Sequence, residues 1–168
     1  MIQAQQKTLD ATPIIDQYLT SQLNIEVFMS VMTINGQLMI ELAVRYSGML
    51  KSIDRKLSAH GISMSEFLVL HQLYAAAEQS MSRVALAETV GLTASGVTRL
   101  LNPMEKNHLV EKEKNSRDAR VSLVKLTQTG VEIYQDALVS FNHGTEAMTD
   151  RLTSAQLTQL LTLIGKLN

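Results

Sequence analysis

The stretch TASGVTR at 93–99 brings small, hydroxyl-bearing and cationic residues together at helical spacing. On a helix capped by Thr93, one face of the first two turns carries Ala94, Ser95, Thr98 and Arg99, with Gly96 beside them. Small residues let a helix N-terminus approach a groove closely. Ser and Thr can bond phosphate oxygens or base edges, and an Arg can fork onto a guanine. The free N–H groups of the first turn add a preference for anions. Ser95 or Thr98 alone reads as an ordinary solvated face, so the surrounding elements must decide.

A second cluster follows at 112–120, KEKNSRDAR, where Lys112, Lys114, Arg117 and Arg120 bracket Asp118. Arg117 and Arg120 could reach a nucleic-acid backbone or a narrow minor groove, whose negative potential attracts Arg. A solvated loop is the usual meaning of such a run. Asp118 subtracts charge where a phosphate would be met, so its expected role is to structure the loop. It would accept bonds from the loop backbone or pair with Arg120 to aim it.

The elements that must position these groups are helical on both sides. Thr12-Pro13 reads as a cap and first helical residue, opening a short helix to about Leu23. Residues 25–34 leave helix and strand open. A long helical pattern runs from Gly36 to Ala59, with Met39, Leu42, Ala43, Tyr46, Met49, Leu50, Ile53 and Leu57 along one stripe. His60-Gly61 ends it with a left-handed cap. Ser63 and Glu66 predict a capping box for a helix that buries Phe67, Leu70, Leu73 and Tyr74. Ser82 caps a short helix carrying Leu86, Ala87 and Val90; Gly91 breaks it, and Thr93 caps the next. There Val97, Leu100, Leu101 and Met104 form the core face, and Pro103 predicts a kink past the residues exposed for reading.

LVEKE at 109–113 and VSLVKL at 121–126 then predict a hairpin around the charged tip. Thr127 caps a helix with Ile133, Tyr134, Ala137, Leu138 and Phe141. Thr153 and Gln156 predict a second capping box before a final helix. Its stripe of Leu157, Leu160, Leu161, Ile164 and Leu167 is wider than a short helix needs against a small domain. A short helix, a Gly-containing turn and a capped second helix make a helix-turn-helix unit. The charged hairpin makes it winged.

Composition excludes several alternatives. The 168 residues hold no Cys and no Trp, with 9 Met, 3 Phe and 4 Tyr. Disulfides, thiolate zinc sites and thiol redox sensing are thereby removed, which is compatible with a reducing cytoplasm. The net charge of −1 hides an asymmetry: residues 82–130 carry eight Lys or Arg against five Asp or Glu. The flanks are mildly acidic. The most apolar run, 25–44, holds Glu26, Asn35, Gln37 and Glu41, against a membrane span, and the N-terminus lacks a leader-like apolar core. His60, His71, His108 and His143 form no HxxxH or HxxH pair, so no metal or other cofactor is expected. The sequence holds no Gly-rich phosphate loop and no nucleophile elbow, so it does not read as an enzyme. The N-terminal methionines Met29, Met32, Met39, Met49 and Met64 read as core before they read as a pocket.

In order and spacing, residues 86–130 resemble the winged helix of the MarR family, the multiple-antibiotic-resistance type of bacterial transcriptional regulators. The resemblance rests on Leu86-Ala87, Gly91-Leu92-Thr93, Val97-Thr98-Arg99, Met104-Glu105, His108-Leu109-Val110, Asp118-Ala119-Arg120 and Leu126-Thr127-Gln128-Thr129-Gly130. ISMSEFLVL at 62–70 is similar to the family's upstream helix start. No single piece is specific; their order is. His108 stands where the family often has Gly, which predicts a left-handed His. Met104 replaces a Leu.

The resemblance implies a mainly α fold with a small β-hairpin wing, a winged helix-turn-helix flanked by N- and C-terminal dimerisation helices. It divides the chain into 1–60 (N-terminal helices, part of the dimer contact), 61–130 (DNA binding) and 131–168 (C-terminal dimerisation helices). It implies a cytoplasmic homodimer that binds double-stranded DNA at a pseudo-palindrome, as a ligand-responsive repressor. Thr93, Ala94, Ser95, Gly96, Thr98 and Arg99 would then lie in the major groove, and Lys112, Lys114, Arg117 and Arg120 would serve the wing. The family's small aromatic or phenolic effectors, bound between dimer helices and winged helix, point to Met39, Ala43 and Tyr46 as a lining. The rival expectation is a winged helix used as a protein-interaction module.

Overall fold

The computed structural model describes residues 32–114 and 122–167 and divides between Tyr46 and Ser47 into two compact units. The expected helix at Thr12-Pro13, Met29 and most of the open 25–34 stretch lie outside the described residues. So do Arg117, Asp118 and Arg120, which the sequence expects at the wing tip, and of Lys114 only the backbone lies within them.

The first unit contributes the opening turns of helix α1 (Ile34–Leu57). Thr33 Oγ1 accepts the Gly36 N–H at 3.2 Å, which sets the start, and an exposed Arg45–Glu41 pair at 3.1 Å follows one turn apart. Ile34, Leu38, Met39, Ile40, Val44 and Tyr46 are exposed, and Ala43 with them. Over these turns the expected stripe is therefore exposed, with no cover among the described residues. Only in the last turns of α1, within the second unit, do Ile53 and Leu57 enter a core.

The second unit continues as a 3-10 turn (Ser58–His60), α2 (Met64–Ala75), β1 (Ser80–Ser82), α3 (Arg83–Thr89), α4 (Ala94–Lys106), β2 (Val110–Lys114), β3 (Ser122–Leu126), α5 (Gln128–Thr149) and α6 (Ser154–Ile164). The sheet is antiparallel in the order β1-β3-β2. β1 is an addition to the expected hairpin. Its three residues pair Ser80 with Lys125 and Ser82 with Leu123, so the wing grows out of a three-stranded base.

Local chemistry sets the boundaries. Ser63 and Glu66 form the expected capping box on α2, and Thr153 and Gln156 form one on α6. Ser82, Thr93 and Thr127 cap α3, α4 and α5 through their hydroxyls. Gly61 and Gly91 adopt φ of 73° and 67° in left-handed exits.

Phe67, Val69, Leu70 and Leu73 of α2 centre the core, closed by Leu86 and Ala87 of α3, Val97, Leu101 and Met104 of α4, and Tyr134 and Ala137 of α5. The wing strands add Val110, Val124 and Leu126. Tyr74 departs from expectation: it stays 38% exposed, because its ring lies against Tyr134 (centroids 4.7 Å apart) while its hydroxyl accepts from Gln135 Nε2 at 3.3 Å. His71 Nδ1 meets the Tyr134 hydroxyl at 2.7 Å. Burial, and then the neighbouring Tyr74, push the Tyr134 pKa above its usual value.

Candidate nucleic-acid interface

α3 and α4 form the helix-turn-helix, and the turn is held by backbone bonds that need Gly91. The Gly91 N–H donates to Glu88 O at 3.3 Å and the Leu92 N–H to Ala87 O at 2.9 Å, a Schellman exit with its pivot residue left-handed. Two residues on, Thr93 Oγ1 accepts the Gly96 N–H at 3.1 Å and starts α4.

α4 is sharply two-sided. Val97, Leu101 and Met104 are buried with at most 2% exposure, which fixes the helix against the core. Thr93, Ala94, Ser95 and Arg99 are exposed, while Gly96 and Thr98 are half-buried at the margin. Their hydrogen bonds sort them further. The Thr98 hydroxyl donates to Ala94 O at 2.9 Å, leaving only lone pairs for an outside donor. Thr93 is occupied by the cap and lies 3.1 Å from Ser95 Oγ. Arg99 forms no ion pair among the described residues and can turn its guanidinium outward. The expected reading face is brought together on one short surface.

Pro103 does not end α4, which runs unbroken to Lys106, and the Pro103 carbonyl accepts the Asn107 N–H at 2.9 Å. The exposed Pro103 leaves the buried face intact. The exit is a second Schellman motif, with His108 N–H to Glu105 O at 3.0 Å and Leu109 N–H to Met104 O at 2.9 Å. His108 takes φ 57°, the left-handed conformation expected at this position.

This exit feeds β2 directly, and α5 locks the junction. Thr127 Oγ1 donates to His108 O at 2.5 Å and lies 3.1 Å from Leu109 O, while the Thr127 N–H reaches Leu109 O at 3.2 Å. Gly130 lets this close approach occur, since a Cβ there would stand 2.0 Å from Leu109 O. The Leu-Thr-x-x-Gly run thus sets where the wing leaves the helix-turn-helix.

Along the wing, Val110 opposes Leu126 and Lys112 opposes Val124. Strand alternation puts Lys112 on the same face as buried Val110, toward α4. There its ammonium pairs with the Glu105 carboxylate, a contact sequence reasoning missed. Arg83 of α3 lines the same narrow cleft with Leu101, Glu105, Val110 and Lys112. Lys112 is thus an exposed cation already engaged. No helix among the described residues is long and apolar enough to cross a membrane.

Three solved structures share this arrangement. A mutant MarR from E. coli complexed with operator DNA is 25% identical, covering 78% of this chain and 91% of that one, with a TM-score of 0.68. Sco3205, a MarR family transcriptional regulator from Streptomyces coelicolor in complex with DNA, is 23% identical over 79% of this chain and 88% of its own, with a TM-score of 0.71. The organohalide-sensing RdhR-CbdbA1625 transcriptional regulator in its 2,4-dichlorophenol-bound form is 19% identical over 82% and 81%, with a TM-score of 0.73. The last two show likeness of fold. The family model for the transcriptional regulators SarA/Rot matches residues 51–137, from the end of α1 through the helix-turn-helix and wing into α5. With the helix-turn-helix, the wing and that match together, the chain belongs to the SarA/Rot family of transcriptional regulators, which are not enzymes, on a MarR-like winged-helix fold.

Proposed function

We propose that this chain is a homodimeric, sequence-specific DNA-binding repressor that a small ligand releases from a pseudo-palindromic operator in the cytoplasm. The observation that carries the reading is the two-sided α4: Val97, Leu101 and Met104 anchor it while Ala94, Ser95 and Arg99 face outward over its first two turns. Thr93 and Gly96 bring the helix start close to the backbone, Thr98 accepts at the groove edge, and Arg99 supplies the fork for a guanine. Lys114, Arg117 and Arg120 serve the wing and Asp118 aims its tip, while Lys112 at the base is paired with Glu105.

Residues 61–130 would bind DNA, and residues 1–60 and 131–168 would join two copies. Support for the join comes from unburied apolar surface: Met39, Ile40 and Val44 on α1, and Leu160, Leu161 and Ile164 on α6. Two recognition helices would then stand about one DNA turn (~34 Å) apart. A small aromatic or phenolic effector beside Met39, Ala43 and Tyr46 would change that spacing. The ligand-bound neighbour, in its 2,4-dichlorophenol form, is the support for this class of molecule.

Selection of binding sites from random duplexes at two salt concentrations tests the reading. A recovered palindrome whose affinity survives the higher salt supports it. Weak retention that disappears with salt, and no recovered motif, would instead favour a winged helix used for protein contacts.

A further inference from the structure

We propose that Glu105 holds Lys112 in reserve, keeping this cation off DNA phosphate and thereby limiting sequence-independent affinity. The inference rests on the DNA-binding reading above. Three elements bring the groups together: Glu105 lies in the last turns of α4, Lys112 in β2, and Arg83 at the start of α3. The Glu105 carboxylate pairs with the Lys112 ammonium, and their side chains are 35% and 47% exposed. The pair is thus partly withdrawn from water yet open to competition.

Register forces this meeting. Lys112 opposes buried Val124 on the inner face of the hairpin, while Glu111 opposes Lys125 on the other. Lys112 therefore extends along α4, where Glu105 is the carboxylate within reach. Arg83 lines the same cleft, and its buried Nε has no hydrogen-bond partner among the described residues. Arg83 and Lys112 thus share one small region at the base of the wing with Glu105, and Glu111 borders the same cleft.

A phosphate reaching Lys112 must displace Glu105 and tolerate its charge nearby. Non-specific binding, which depends almost wholly on phosphate contacts, feels that cost in full. Binding that also makes base contacts through Arg99 is affected proportionately less. Glu105 is thus a positioning residue that lowers the phosphate-driven part of affinity.

The test is the salt dependence of binding to one mixed-sequence duplex, between about 50 and 200 mM salt. Each phosphate neutralised contributes about 0.9 to the slope of log affinity against log salt. Glu105→Gln is expected to raise non-specific affinity and steepen the slope by about one phosphate's worth. Lys112→Gln alone should leave the slope nearly unchanged, and the double variant should return to wild type. A melting temperature for Glu105→Gln within a few degrees of wild type confirms that folding is intact. A slope unchanged by Glu105→Gln, or flattened by a full phosphate in Lys112→Gln alone, overturns the inference while leaving DNA binding in place. Wild-type protein that shows no salt-dependent retention on the duplex removes the DNA reading itself.

Discussion

The carbonyl oxygen of Leu109 occupies the space where Gly130 would carry a Cβ, 2.0 Å from that position. The contact joins the residue before β2 to the first turn of α5, beside the Thr127 N–H that donates to the same carbonyl at 3.2 Å. Backbone, unlike a flexible side chain, cannot swing aside. Gly130→Ala is therefore expected to cost about 1–3 kcal/mol of stability as an overpacked site. A urea melt should show a lower midpoint with an unchanged slope. An unchanged midpoint would mean that the wing base yields freely.

His108 tests the other side of this junction. Its φ of 57° is strained for any residue with a Cβ, and the ring is exposed. Relief of that strain in His108→Gly is partly offset by the greater freedom Gly gives the unfolded chain. A net gain of about 0.5–1 kcal/mol is expected, seen as a melting temperature higher by a few degrees. A lower melting temperature would show that the imidazole makes a stabilising contact.

Tyr134 gives the fold an alkaline limit. Its folded pKa lies above the ordinary 10.0, through burial first and Tyr74 second. As pH rises, the unfolded chain loses this proton before the folded one. The stabilisation is complete at neutral pH and is lost as pH climbs through 10.0 toward the folded value. Tyr134→Phe, which also loses the bond to His71, should be less stable than wild type by about 1 kcal/mol at neutral pH. That difference should narrow above pH 10.0 in parallel denaturant melts. A constant or widening difference would contradict the assignment.

Much of this architecture was legible because its signals are local. Ser63 with Glu66, Thr93, Thr127, and Thr153 with Gln156 act on N–H groups two or three residues away. Gly61, Gly91 and His108 likewise reveal left-handed exits one residue at a time. The exposed face of α4 followed from helical spacing alone. β1 was not legible: Ser80, Met81 and Ser82 have no strand alternation of their own and are extended because β3 offers a partner. The Glu105–Lys112 pair was hidden for a related reason, since it depends on hairpin register and the angle between helix and wing. Tyr74 sits on its helix beside core positions, yet Tyr134 takes the enclosed place and leaves Tyr74 at the rim.

Association has a direct check. Leu161 is 71% exposed on α6 and has no apolar cover among the described residues. Light scattering at micromolar concentration should give about twice the mass of one chain. Leu161→Glu, by placing a charge in an apolar contact, should weaken the dimer by at least about tenfold. A stable wild-type monomer would remove the two-copy model.

The central claim is that the exposed face of α4 reads base sequence. The most direct measurement is the affinity of wild type and Arg99→Ala for the duplex recovered by selection, and for that duplex with each base pair changed in turn. Loss of about 1–3 kcal/mol for Arg99→Ala, with preference relaxed at one guanine position in each half-site, is the predicted result. Unchanged affinity and unchanged preference would place the reading surface elsewhere and contradict the account.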